Sequence, residues 1–397
     1  MAVPVEFLLF GSMLLGIAIF HKRALEIAIV GLLIILAYEW LVSAFPTGRG
    51  FEALLAHAEH EWVTIANLLL LLTGFEILSN QFEQSNVSDH LPNLLPDDWT
   101  GGLALLAIVF VMSAFLDNIA AAVLGGVMAR HVYHGRVCVG FLAAIVASAN
   151  AGGAGSVIGD TTTTLMWLKG ISPFVVLPAF LAAVASFVIL APAGALAQHR
   201  HQPILANDQA GHPLIWRRVW VVAAILIAAV ITNILASSLS EGEETAPWLG
   251  MALWTAIILT SFICKPDWTV LKHGTKGAVF LASLVAAASL MPLKGLPDPS
   301  WQTAFGLGFL SSVFDNIPLT ALALRQGGYD WALLAFAVGF GGSMVWFGSS
   351  AGVAITNEFP EGRSVVEWLK QGWFVPVAYV FGFFVMFLAL GWQPSSI

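Results

Sequence analysis

The sequence predicts an all-α polytopic membrane protein built from two inverted repeats, with about 10 transmembrane helices, two re-entrant helical hairpins and two broken helices. Three observations lead there. The 397 residues are 58% hydrophobic and only 10% charged, with a mean hydropathy of +0.84, whereas a soluble domain carries roughly a quarter charged residues. Apolar stretches approaching the roughly 20 residues that cross a hydrocarbon core as a helix recur from end to end, as at residues 24–45, 173–197 and 220–235. Finally, the polar motifs of the first half return in the second half in the same order.

The first stretch, residues 7–20, has nothing basic before it and His21-Lys22-Arg23 after it. A secretory signal has its charge first and a small-residue cleavage site afterwards, so this stretch reads as a retained first span. Full crossings are expected at about residues 5–20, 24–45, 61–80, 137–168, 173–197, 216–236, 247–264, 268–291, 331–357 and 373–391. Two further stretches, 101–130 and 301–325, are each interrupted at an Asp-Asn pair. Their legs, about 10–16 residues each, are too short to span singly and read as hairpins that return to the side they came from. The plan is a first repeat over 1–200, a linker over 201–215 and a second repeat over 216–397. Residues 137–168 and 331–357 form the broken helices.

Charge orients this scheme. Lys22, Arg23, Arg130, Arg136, Arg200, Arg217, Arg218, Lys265, Lys272, Lys276, Arg363 and Lys370 fall on one side, and Arg49, Lys169, Lys294 and Arg325 on the other. The side rich in Lys and Arg is cytoplasmic, which places both termini outside the cytoplasm of a bacterial-type inner membrane. The lipid bilayer is then the main partner. The net charge of −8 arises in loops such as Glu241-Gly242-Glu243-Glu244 and Asp97-Asp98, where solvation accounts for it. No basic stripe with interleaved aromatics exists, so nucleic acid is excluded. Cys138 and Cys264 stand in apolar segments and read as small buried hydrophobes without a disulfide. Histidines 131, 134, 199, 201 and 212 read as solvated loop residues.

Three echoes relate the halves. Glu61-Trp62-Val63-Thr64 answers to Asp267-Trp268-Thr269-Val270. Ser113-Ala114-Phe115-Leu116-Asp117-Asn118-Ile119 answers to Ser311-Ser312-Val313-Phe314-Asp315-Asn316-Ile317. Gly152-Gly153 with Gly159 answers to Gly341-Gly342 with Gly348. Each half holds an odd number of crossings, so the second copy enters the membrane upside down, the plan of many secondary transporters.

Asp117 and Asp315 interrupt the hairpins and Asp160 interrupts a crossing. An acid at the bilayer centre costs about 2.5–3.5 kcal/mol on insertion scales and usually lines an ion pathway. No Lys or Arg stands at helical spacing to neutralise these three. They can instead cap the ends of broken helices, since Asp is a good N-cap, and capping is compatible with ion binding. The run from Asn150 to Thr164 combines glycines that let a helix unwind with an amide, an acid and hydroxyls that suit a hard cation. Close helix packing by the glycines, with threonines bonded back to the preceding turn, is the plainer reading, but an Asn and an Asp ten residues apart among the glycines favour a site. A phosphate loop is excluded, because no Lys follows the glycines. The matching run from Gly341 to Gly352 carries hydroxyls and no acid, so the two half-sites are chemically unequal.

At these motifs the chain resembles the ion transporter superfamily, most closely the NhaD-type sodium/proton antiporters. The residues that carry the likeness are Leu116-Asp117-Asn118, Asn150-Ala151-Gly152-Gly153, Ile158-Gly159-Asp160-Thr161-Thr162-Thr163 and Ser311-Ser312-Val313-Phe314-Asp315-Asn316-Ile317-Pro318-Leu319. The resemblance implies an elevator-like movement of the hairpin-bearing part and, in many members, a homodimer. It assigns ion or substrate contacts to Asp117, Asn118, Asn150, Asp160, Thr162, Thr163, Ser311, Asp315, Asn316, Ser349 and Ser350, with Asp117, Asp160 and Asp315 holding Na⁺. The expected activity is exchange of Na⁺ or Li⁺ for H⁺ by a membrane transporter that is not an enzyme and needs no cofactor. The alternative on the same scaffold is uptake of a carboxylate such as citrate, or efflux of an oxyanion.

Overall fold

Helix is the main way for such apolar stretches to satisfy their own backbone hydrogen bonds, and helix dominates the chain. A computed structural model describes residues 4–20, 23–43, 45, 48–86, 95–114, 116–157, 159–168, 171–204, 213–239, 246–292, 297–314 and 316–395. Its helices, in order, are α1 (Val5–Ile19), α2 (Ala24–Leu41), α3 (Phe51–Glu83), α4 (Trp99–Ser113), α5 (Asn118–Val132), α6 (Val139–Gly153), α7 (Thr161–Leu168), α8 (Pro173–Val176) and α9 (Ala179–His201). There follow α10 (Trp216–Leu239), α11 (Trp248–Ser261), α12 (Leu271–Ser289), α13 (Trp301–Ser311), α14 (Asn316–Gln326), α15 (Trp331–Gly341), α16 (Ser350–Glu358), α17 (Val365–Gln371) and α18 (Phe374–Leu390). Asp315, with Phe115 and Ile158 of the motifs, lies outside the described residues. So do His21, Lys22, Lys169, Lys294, residues 205–212 of the expected linker and the acidic run 241–244.

Among the described residues, three helices are long and apolar enough to cross a membrane, Ala24–Leu41, Phe51–Phe82 and Pro173–His201, and α17 with α18, bent by 59°, make a fourth candidate. Large apolar side chains recur on the outer surface, among them Leu8, Leu15, Leu33, Val188, Leu259, Phe262 and Leu388. Exposed apolar surface on this scale belongs in lipid, and the chain is a multi-pass membrane protein. Two details depart from the sequence reading. Helix α3 starts at Phe51 rather than near 61, and the short α17 precedes the last expected crossing. Both cysteines are free and buried.

The interruptions fall where the motifs put them. Helices α4 and α5 have 15 residues each, about 22 Å at 1.5 Å per residue and short of the roughly 30 Å hydrocarbon thickness. The 137–168 segment divides into α6 and α7, and the 331–357 segment into α15, a 3₁₀ turn at Gly342–Met344 and α16. Helices α6 and α15 are buried along their whole length and pack on each other, as apolar-all-round helices must. Around them α4, α5 and α9 pack on α6, and α13, α14 and α18 on α15. A second group runs through successive pairs, α1 on α2, α2 on α12, α12 on α3, α3 on α11 and α11 on α10. The groups meet where α3 touches α5 and α12 touches α16.

Between helices in lipid the hydrophobic drive is weak, so association depends on small residues and hydrogen bonds. Ser113 Oγ donates to the Ala149 carbonyl at 2.6 Å, tying α4 to α6, and Ser311 Oγ donates to the Val338 carbonyl at 2.7 Å, tying α13 to α15. Three residues beyond each bonded carbonyl stands a glycine. A Cβ on Gly152 would run into the Phe110 carbonyl, and one on Gly341 into the Gly308 carbonyl. At the far end of α5, Arg130 Nη2 meets Glu358 Oε2 at 2.9 Å and the Glu358 carbonyl at 2.6 Å. Its guanidinium lies 4.9 Å from the Phe359 ring centroid, so α5 is fastened to the end of α16.

Gly152→Ala and Gly341→Ala are expected to lose about 2 kcal/mol or more, because helix backbones rather than side-chain ends must move apart. Gly306→Ala, whose Cβ meets nothing within 4 Å, should be neutral or gain up to about 1 kcal/mol from helix propensity. Thermal melts of the purified protein in detergent measure this order; equal melting temperatures for the three would refute the close-approach account.

Candidate functional site

The site forms where the starts of four helices, α5, α7, α14 and α16, converge. After Gly153 the chain leaves α6 and folds back so tightly that a Cβ on Gly153 would sit 2.6 Å from the Gly159 carbonyl. The second broken helix repeats this at the same separation between Gly342 and the Gly348 carbonyl. Each return delivers an oxygen-bearing side chain to the next helix start. Asp160 Oδ1 accepts from the Thr162 N–H at 3.2 Å, and Ser349 Oγ accepts from the Gly352 N–H at 3.3 Å. Asp117 caps α5 by accepting from the Ile119 N–H at 2.8 Å. These are ordinary N-caps, which satisfy donors that a helix start leaves open.

Around the caps a buried polar network runs from one half of the chain to the other. Asn118 Nδ2 donates to Asn150 Oδ1 at 3.0 Å, and Asn150 Nδ2 donates onward to Ser343 Oγ at 2.9 Å and Ser349 Oγ at 3.2 Å. On the other side, Asn316 Nδ2 donates to Thr162 Oγ1 at 2.8 Å and Asp160 Oδ1 at 3.2 Å. Asn150, Asp160, Thr162, Ser343, Ser349, Asn118 and Asn316 are all buried. The Asn118 backbone N–H donates to the Gly159 carbonyl at 3.1 Å. Asp117 and Asp160 therefore each stand one residue from a shared hydrogen bond, close enough for their charges to interact. Asp117 itself is half-buried.

Some expected site residues serve the scaffold. Thr163 Oγ1 donates to the Ser156 carbonyl at 2.6 Å and the Asp160 carbonyl at 2.9 Å, so its hydroxyl closes the loop between α6 and α7. Ser311 is taken up by its bond to α15. Ser350 is buried beside Ser349, and Asp315 is outside the described residues. Ser343 belongs to the network and was not among the expected residues. Its signal was its place directly after Gly341-Gly342. Its carbonyl accepts the Trp368 indole N–H at 3.1 Å, which anchors the 3₁₀ turn to α17.

The convergence of broken helices on buried carboxylate, amide and hydroxyl groups is the arrangement of a small-solute site in a membrane carrier. Comparison with known proteins agrees. The profile of the citrate transporter family (CitMHS) matches residues 13–341. The chain belongs to this family. It is therefore a membrane transporter rather than an enzyme. A protein named sodium/proton antiporter 2 from Arabidopsis thaliana is 28% identical over 393 residues, covering 86% of this chain and 90% of that protein. Sodium/proton antiporter 1 of the same plant is 25% identical, covering 87% of this chain and 66% of that protein. The Na(+)/H(+) antiporter NhaD of Vibrio parahaemolyticus is 23% identical, covering 80% and 89%.

The neighbouring threonines separate scaffold from network. Thr163→Val should cost about 1–3 kcal/mol of stability for the lost bonds to two buried carbonyls and so lower the melting temperature, while Thr163→Ser keeps it. Thr162→Val should leave the melting temperature nearer wild type and impair transport, since its hydroxyl receives Asn316. Melting curves beside proteoliposome flux test the pair, and the reverse assignment of effects would contradict these roles.

Proposed function

We propose that this transporter exchanges Na⁺ or Li⁺ for H⁺, with Asp160 and Asp117 as the groups that hold either the cation or the proton. The observation that carries this reading is the buried Asp160 carboxylate at a helix break, bonded to Asn316 from the other half of the chain and close to Asp117. Carboxylates, amide oxygens and hydroxyls are ligands for a hard cation. A carboxylate that releases its proton on binding a cation couples the two flows by competition. The names of the relatives point the same way.

On this reading the two halves are inverted repeats. The matched bonds Ser113 to Ala149 and Ser311 to Val338, and the matched turns at Gly153 and Gly342, support it. Helices α4–α5 and α13–α14 are then re-entrant hairpins whose tips meet near the bilayer midplane, and Asp315 occupies the second tip. The Lys/Arg bias puts the Arg130 end of α5 on the cytoplasmic side and both termini outside. The group around α6 and α15 moves as a body against the group around α3 and α12, and the protein acts as a homodimer. The family's citrate name gives the second reading, cation-coupled uptake of a carboxylate, and the neutral donors of Asn118, Asn150, Ser343 and Ser349 favour it.

Purified protein in liposomes carrying a pH dye should respond to NaCl and LiCl and not to KCl. Asp160→Asn and Asp117→Asn should abolish the response, although Asn is itself a good cap. The apparent Na⁺ constant should rise as pH falls, because protons compete for the same oxygens. Full exchange by Asp160→Asn would end the cation-site reading; citrate uptake without any sodium/proton exchange in the wild type would establish the second one.

A further inference from the structure

The two halves differ most at one position. Ala149 and Val338 are the carbonyls that receive Ser113 and Ser311, so the residues that follow them, Asn150 and Gly339, occupy matching places on α6 and α15. Asn150 fills its place with an amide bonded on both sides. Gly339 has no side chain, and a Cβ built there would lie 2.6 Å from Asp160 Oδ2 and 4.0 Å from Thr162 Oγ1. The carboxylate of Asp160 thus reaches across to α15 and occupies the space next to a bare backbone. The caps show the complementary exchange, since Asp160 in the first half is matched by the smaller Ser349 in the second. Across the halves an amide meets a hydroxyl, Asn150 with Ser349, and a carboxylate meets a glycine, Asp160 with Gly339.

We infer that Gly339 determines the cation specificity of the site by leaving the Asp160 carboxylate, and the ion it holds, the volume that a side chain fills at the matching position. This rests on the cation reading above and goes beyond it to the residue that sets the room. A methyl group at 2.6 Å is well inside the roughly 3.5 Å of ordinary contact. The carboxylate cannot turn away freely, because Oδ1 is held at 3.2 Å by both the Thr162 N–H and Asn316 Nδ2. With Ala at 339 the methyl forces the carboxylate off its position against those bonds, the room beside Oδ2 shrinks, and the larger of two cations suffers more. Na⁺ is larger than Li⁺.

The test is ion-dependent thermal stabilisation of the purified protein, which reads binding by mass action without requiring transport. Gly339→Ala should raise the apparent Na⁺ constant about tenfold, the scale seen when groups supporting a metal ligand are altered, and raise the Li⁺ constant less. Unchanged constants, or an unchanged Na⁺/Li⁺ ratio, would overturn the assignment. Should Gly339→Ala fail to fold, Gly339→Ala with Asp160→Ser places the small cap of the other half beside the methyl. Recovery of folding in the double variant upholds the steric pairing, and failure there makes Gly339 a packing glycine of α15 and overturns the proposal. Absence of any Na⁺-dependent stabilisation in the wild type overturns the cation reading itself, whereas a wild-type response that Gly339→Ala leaves intact overturns only the role of Gly339.

Discussion

A helix that starts inside a protein, away from water, leaves backbone N–H groups that something must satisfy. The rest of this structure follows from that constraint. Helices α5, α7 and α16 all start among buried residues, and each meets an oxygen from its own sequence, those of Asp117, Asp160 and Ser349. Breaking the helices therefore requires polar side chains at the breaks before any cargo is considered. A carboxylate has lone pairs to spare after one N–H has been accepted. Cap and ligand are in this sense one group in two uses, and the question whether these acids are structural or functional has no exclusive answer.

The two halves meet the constraint unequally, and the network takes its direction from the difference. Asn118 is bonded to Asn150, within its own half of the chain, whereas Asn316 is bonded to Asp160 and Thr162 of the other half. The first residue of α14 is consequently bonded to a carboxylate of the other half, and the first residue of α5 to a neutral amide of its own half, beside its Asp117 cap. On the proposed function, the tie from Asn316 is the one that would respond directly to a cation or a proton at Asp160. Asn150, bonded in turn to Ser343 and Ser349, carries the connection back across to the second broken helix, where Trp368 holds the Ser343 carbonyl.

Much of this was legible in the sequence because it is written in local chemistry. Asp-Asn pairs inside apolar runs, and glycines six residues apart, fix where helices stop. The equal spacing of Ser113 from Asp117 and of Ser311 from Asp315 shows that the two serines correspond, but not that each bonds to α6 or α15. Contacts across the fold were not legible. Nothing local says that Asn316 turns to Thr162 or that Ser343 joins Asn150, whereas the bond of Thr163 back to the Asp160 carbonyl is of the kind expected for threonines in that run. Gly339 was silent for a related reason: in an apolar helix a glycine reads as packing, and its meaning appears only beside the carboxylate it faces. Helix α17 was missed because seven residues are too few for periodicity to register.

Charge supplies the last step. Asp117 and Asp160 bring two carboxylates to one buried region, and among the described residues the cation nearest along α5, Arg130, is engaged with Glu358 and Phe359 at the helix's far end. Two ionised acids in one buried region repel each other in a medium that screens weakly, so the pair favours positive charge, which protons and small cations can each supply. On the proposed function, a carboxylate solute would add to the negative charge and would have to arrive after a proton or a cation had neutralised Asp160, with the neutral amides and hydroxyls around Asn150 left to meet it.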